Sequence, residues 1–200
     1  MDFEDLIIAL APPPNRMGKA NGDHEHHLYE GAVMLAYAMH LLRTGADRVD
    51  IHPDGEHGKQ FDFAAWLAKR GFSRGKLSGK TTYGGTYSDE NGRIVVVEPK
   101  SGIGDVVAQI GGRSLTAECK GGIINTKHSG QVSRLYKGLC ETVGLLMATP
   151  STGRQVAVVP YTDSTLRLAR RLSPRCALVG IEIALVKSRG EIVAVPVSED

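Results

Sequence analysis

Between Leu28 and Thr44 apolar residues recur at helical spacing: Val33, Tyr37 and Leu41 form one stripe, Met34 and Leu42 lie beside it, and Gly45 ends the run. The same spacing predicts helices over Phe61 to Arg70, closed by Gly71, and over Gly130 to Ala148. In the latter Val132, Leu135, Leu139, Val143 and Leu146 supply the buried stripe and Ser129 the cap. A further helix runs from Ser164 to Leu172 behind Asp163, and Asp2 to Ala11 reads as a short helix stopped by Pro12-Pro13-Pro14. Strand patterns fill the intervals: Arg48 to His52, Thr81 to Tyr87, Arg93 to Glu98, Asp105 to Ile110, Arg113 to Lys120, Gln155 to Tyr161, Cys176 to Val186 and Glu191 to Val197. Asn15 to Asp23, the turn-rich His52 to Gly58 and the basic stretch Ile123 to Ser129 read as loops. This order predicts an α/β protein, a central mixed β-sheet flanked by helices. Without repeats or a low-complexity linker it reads as a single domain over 1–200, a mainly helical part at 1–70 preceding a core at 80–197.

One hairpin carries chemistry. Gly111-Gly112 suits a two-residue turn between Asp105 to Ile110 and Arg113 to Lys120. Side chains alternate along a strand, so Ser114, Thr116, Glu118 and Lys120 share one face while Leu115, Ala117 and Cys119 share the other. Pairing Ile110 with Arg113 sets Asp105 opposite Glu118, with Cβ atoms about 5 Å apart. Two facing carboxylates repel unless a proton or a cation intervenes, and a divalent metal is the natural partner. Lys120, on the same face, adds a positive charge able to position a water. A surface hairpin with a cross-strand salt bridge is the plainer reading of Glu-x-Lys; agreement of register, polarity and charge favours a site.

Asp105 on one strand and Glu118-Cys119-Lys120 on the next resemble the PD-(D/E)XK nuclease superfamily, the restriction endonuclease-like group, over roughly Arg93 to Val197. The resemblance implies a restriction endonuclease-like core, with an N-terminal helical extension ahead of it. It also implies that Asp105 and Glu118 bind Mg2+, with Mn2+ able to substitute, that the Cys119 backbone carbonyl joins them, and that Lys120 serves the hydrolytic water. Glu30, on the helix preceding the core, is the positional candidate for a further metal ligand, beside the plainer reading of a first-turn glutamate favoured by the helix dipole. Gln131, Arg134 and Lys137, together with Lys127 in the loop before them, are the candidate nucleic-acid contacts. Gly104 stands in place of the family's proline before the aspartate, a proline that the family often lacks. The expected activity is a DNA endonuclease leaving a 5′-phosphate and a 3′-hydroxyl, in restriction or phage defence. Resolution of branched DNA, such as Holliday junctions, or a subunit of a larger complex fits the same residues. The expected partners are DNA and a second copy of the chain or another subunit.

Composition narrows the class. Apolar and charged fractions of 42% and 23% are those of an ordinary globular chain, and a net charge of +2 leaves nucleic-acid attraction to local patches. The most basic stretch is Arg167, Arg170, Arg171 and Arg175, which reads either as a phosphate grip or as a solvated helix face. Three scattered cysteines, Cys119, Cys140 and Cys176, argue for a reducing compartment, and the absence of a signal peptide pattern or a bilayer-length apolar run points to the cytoplasm. His24-Glu25-His26-His27 and the His52 to His57 cluster read as structural or solvated, since no second ligand pair has zinc spacing. Glu98 is either a further acid near the site or a strand-end charge. Gly79-Lys80-Thr81 is not a phosphate-binding loop, because Arg74 stands where its first glycine belongs. Two readings of other classes remain: a non-catalytic nucleic-acid or protein binding module, and a zinc hydrolase built on the N-terminal histidines.

Overall fold

The computed structural model describes residues 3–10, 24–77, 81–100, 102–126, 128–150 and 153–197. Its elements are a 3-10 turn over Glu4–Leu6, then β1 (Ile7–Leu10), β2 (Glu25–Leu28), α1 (Glu30–Arg43), β3 (Arg48–Ile51), α2 (His57–Gln60), α3 (Phe63–Ala68), β4 (Ser73–Leu77), β5 (Gly85–Ser88) and β6 (Ile94–Val97). The second half carries β7 (Val106–Ile110), β8 (Arg113–Cys119), β9 (Gly122–Ile123), α4 (Ser129–Ala148), β10 (Arg154–Pro160), α5 (Asp163–Leu178), β11 (Ile181–Val186) and β12 (Ile192–Ala194).

The main sheet has nine strands in the order β12-β11-β10-β8-β7-β3-β6-β5-β4. It is mixed: β8, β10 and β11 run parallel, as do β3 and β6, while β7 is antiparallel to both β8 and β3. The parallel steps from β8 to β10 and from β10 to β11 require crossovers, which α4 and α5 provide; the two helices pack together on the sheet. A core of Leu139, Leu146, Val159, Ile183 and Leu185 lies beneath them.

The opposite side is built around α1. Its residues Gly31 to Met39, with Leu41 and Leu42, are buried, so it is wrapped on all sides rather than along one stripe. Phe3, Leu6, Phe63, Trp66 and Leu67 belong to the same core. Each large apolar side chain so enclosed contributes about 1.5–3 kcal/mol relative to exposure.

The first seventy residues are therefore not a helical extension. β3 lies in the middle of the main sheet, between β7 and β6. The segment expected to be a helix over Asp2 to Ala11 is instead the 3-10 turn followed by β1, which pairs with β2. Ile7 and Ile8 are β-branched, and a partner strand satisfies their backbone better than an isolated turn of helix. The triple proline, the loop Asn15 to Asp23, Gly79-Lys80 and Lys127 lie outside the described residues. Glu25, His26 and His27, expected just ahead of α1 at its start, form β2; β2 also pairs with β9, which occupies part of the expected loop after Lys120.

Helix ends differ in detail. The side chain of His128, not Ser129, caps α4, accepting from the Gly130 N–H. Thr162, not Asp163, caps α5 through a reciprocal box with Thr165. α5 also continues through Pro174 to Leu178, so Cys176 is helical rather than the first residue of a strand. Burial of Ser173 and Cys176 holds the last turn, and the Ser173 hydroxyl donates to the Pro196 carbonyl at 3.2 Å.

Candidate active site

The hairpin forms in the expected register: Ile110 faces Arg113 and Val106 faces Ala117. Gly111 and Gly112 take the positive φ values of the turn, 56° and 76°. One step further, the Asp105 N–H donates to the Ala117 carbonyl at 2.9 Å, which brings Asp105 opposite Glu118. Leu115, Ala117 and Cys119 are buried on the core face as their alternation requires, while Ser114, Thr116 and Glu118 stay partly open on the other. Asp105 Oδ2 accepts from the Cys119 N–H at 2.7 Å.

The backbone at Gly104 has no room for the proline of the PD-(D/E)XK pattern. Its φ is +90°, a value closed to proline, and a Cβ there would lie 2.4 Å from Thr116 Cγ2. The chain enters β7 through a left-handed residue, and that path presents Asp105 to Glu118.

Around the pair opens a cleft of about 320 Å³ whose walls include Glu30, His52, Asp54, His57, Lys100, Asp105, Glu118, Lys120, Leu145 and Thr149. Glu30 thus reaches the site, from the first turn of α1. Its carboxylate lies 3.3 Å from Lys120 Nζ and 3.3 Å from His57 Nε2, so here it is the partner of Lys120. Glu141 on α4 holds Lys120 from the other side, also at 3.3 Å. The approach of α1 to the strand end depends on Gly121: a Cβ there would meet the Leu28 oxygen at 2.5 Å and the Glu30 nitrogen at 2.6 Å. The β2 to β9 seam and this bare position together set Glu30 beside Lys120.

Burial dominates the electrostatics. It pushes the Asp105 carboxyl up to about 6, against the Cys119 N–H hydrogen bond that lowers it. Burial, together with the facing Asp105, pushes Glu118 up to about 7. Burial also raises Glu30, although Lys120 opposes this. Lys120 is shifted upward: desolvation favours its neutral form, but Glu30 and Glu141 outweigh it and keep the ammonium. Lys120 is thus a fixed positive charge and a hydrogen-bond donor rather than a base.

The donor set fits a hard divalent cation. Asp105 and Glu118 offer carboxylate oxygens in a pocket whose two lysines are already engaged, Lys120 by two glutamates and Lys100 by Glu98. Among the described residues no three His, Cys, Asp or Glu side chains form a ready-made cage. An ion held by this pair would therefore keep several waters, as magnesium characteristically does.

Four contributors escaped the sequence reading. His52 is buried, its Nδ1 2.6 Å from the Glu98 carbonyl, and its N–H donates to the Asp105 carbonyl at 2.8 Å. Asp54 and His57 come from the loop read as solvated: Asp54 Oδ1 accepts from the Glu56 and His57 N–H groups, both at 2.9 Å, which aims His57 at Glu30. Glu141 sits seven residues after Arg134, two helical turns along the same row, and that spacing was the available signal. The Glu98 carboxylate pairs with Lys100 at 3.2 Å and is not among the walls of the cleft. Gln131 and the exposed Arg134 and Lys137 lie on the first turns of α4, before Glu141, and do not line the cleft. Comparisons with protein-family models, with curated proteins and with solved structures return no match. Among the described residues no helix is long and apolar enough to cross a membrane.

Proposed function

We propose that this cleft hydrolyses phosphodiester bonds in DNA, using magnesium or manganese held by Asp105, Glu118 and the Cys119 carbonyl. The observation that carries the reading is the facing pair Asp105 and Glu118, both raised by burial, with Lys120 on the same hairpin face. A bound divalent ion supplies neutralisation of the scissile phosphate and a lowered pKa for its water. The protein's own groups do the rest. Lys120, kept cationic by Glu30 and Glu141, stabilises negative charge developing on the phosphate oxygens. His57, steadied by the Asp54 turn, fixes Glu30 and through it the Lys120 ammonium. Arg134, Lys137 and Gln131 extend the row of α4 beyond the cleft, where a nucleic-acid backbone would run.

Cleavage of supercoiled plasmid, linear duplex and single-stranded DNA tests this with magnesium, manganese or EDTA, using the native chain, Glu118→Ala and Lys120→Ala. Metal-dependent cutting should fall at least about 100-fold in both variants, the usual scale for losing a charge-stabilising group. Cutting that survives both substitutions would put the chemistry elsewhere. A native chain that binds DNA and cuts none of the substrates with either metal would end the hydrolase reading.

A further inference from the structure

The cleft poses an electrostatic problem. Glu30, Asp54, Asp105 and Glu118 line it and Glu141 adjoins it, against the two lysines Lys100 and Lys120, so acids outnumber cations and the cleft does not draw in a polyanion until further cations arrive. Affinity for a phosphate backbone must then draw on surface outside the cleft beyond the two cations of the α4 row, Arg134 and Lys137. We propose that α5 is that surface, its outer face a docking strip for the backbone of duplex DNA outside the cleft.

Arg167, Arg170, Arg171 and Arg175 are all exposed on α5. Arg167, Arg171 and Arg175 follow at intervals of four along one edge, about 12 Å from end to end, with Arg170 beside them. Among the described residues none of the four pairs with a carboxylate; the single side-chain contact is from Arg167 to the Ser164 hydroxyl at 3.4 Å. Arg48, Arg93, Arg154 and Arg189, by contrast, each have an acidic partner. From Asp163 to Leu178 the helix carries these four arginines against one acid, Asp163, a local formal charge of +3 in a molecule whose net charge is +2. Unpaired guanidinium groups in a row match a phosphate backbone, which they meet through bidentate hydrogen bonds.

The apolar face of α5 is occupied. Ala169 and Cys176 are buried in the core beneath it, with Leu166, Leu168 and Leu172 packed against that core. A helix lying in a membrane surface needs that face free. Position also agrees: α5 packs against α4, and α4 lines the cleft through Leu145, with Thr149 just past its end. The axis of α5 is therefore roughly one helix spacing, about 10 Å, from that of α4.

The choice of polyanion rests on the phosphodiester reading of the cleft; the strip itself does not need turnover. The test is fluorescence anisotropy on a labelled duplex of about 24 base pairs in EDTA, where no cutting occurs, over about 50 to 200 mM salt. The native chain is compared with Arg167→Gln/Arg170→Gln/Arg171→Gln/Arg175→Gln and with Arg167→Gln/Arg171→Gln. At about 0.9 per contact, the fourfold variant should lose about 3.6 from the slope of log affinity against log salt. Affinity of the native chain should accordingly fall about 100-fold more than that of the variant across this range. The double variant should fall midway, which an unfolded protein would not do. Unchanged affinity and slope in the fourfold variant would overturn the proposal. Absence of duplex binding by the native chain would do so too, as would arginine-dependent binding to anionic lipid vesicles with duplex binding untouched. Arginine-dependent binding without cleavage under magnesium or manganese would uphold the strip and remove the nuclease reading. Cleavage with binding indifferent to the arginines would do the reverse.

Discussion

Replacing Glu118 with glutamine should stabilise the metal-free protein at alkaline pH while removing its response to divalent cations. The folded carboxyl of Glu118 is raised from 4.5 to about 7 by burial and by Asp105 opposite. Each pKa unit corresponds to about 1.4 kcal/mol, so ionising this group at about pH 8 costs the fold at most about 3.4 kcal/mol. Solvent in the open cleft and the proton shared with Asp105 reduce that to about 1–2 kcal/mol. The sign follows from proton counts. Between 4.5 and about 7 the folded chain keeps a proton that the unfolded chain has released, so stability falls as pH rises through that window and levels off above it. Glutamine has no proton to lose, matches the side chain in size, and its amide can donate to Asp105. Thermal unfolding in EDTA should show little difference near the lower end of the window. At about pH 8 the variant should melt about 2–8 °C higher, given about 2–4 °C per kcal/mol for a chain of this length. Magnesium in excess should raise the melting temperature of the native protein by mass action and leave the variant unmoved. A variant equal to or less stable than the native chain at about pH 8, or one that magnesium stabilises equally, would refute the assignment of the pair as an ion-seeking site.

Two substitutions probe how the backbone builds the site. Gly104→Pro, which introduces the proline of the PD-(D/E)XK pattern, should destabilise the protein by about 2 kcal/mol or more and abolish any cutting, because φ of +90° and the 2.4 Å approach of Thr116 exclude the ring; chemical denaturation would measure it. Gly121→Ala should push β9 and the start of α1 apart, costing about 1–3 kcal/mol and lowering kcat far more than it changes duplex affinity; steady-state kinetics alongside denaturation would separate the two effects.

The hairpin was legible because every level of its sequence agrees: β-branched strands, a turn that needs two glycines, and alternation that sorts Glu118 and Lys120 from Ala117 and Cys119. Helices with regular apolar spacing, α1 and α4, were equally plain. Tertiary pairings were not. Nothing in Ile7 to Leu10 announces a partner at Glu25 to Leu28, and a short apolar run fits helix or strand alike. Pro174 is locally a stop signal, yet burial of Ser173 and Cys176 carries α5 past it. His52, Asp54 and His57 looked like loop polarity because their value lies in where β3 ends, beside Asp105 in a sheet whose strand order no local pattern encodes.

The seam between β2 and β9 also governs timing. It joins Leu28 to Gly122, and the cleft needs Glu30, His57, Asp105, Glu118, Lys120 and Glu141 at once. During synthesis, which exposes the chain from its N-terminus, the early segments must wait for partners made about a hundred residues later. Closing such distant pairs is slow relative to forming the helices. The acid–lysine assembly is thus absent from every nascent intermediate that stops short of Glu141 on α4.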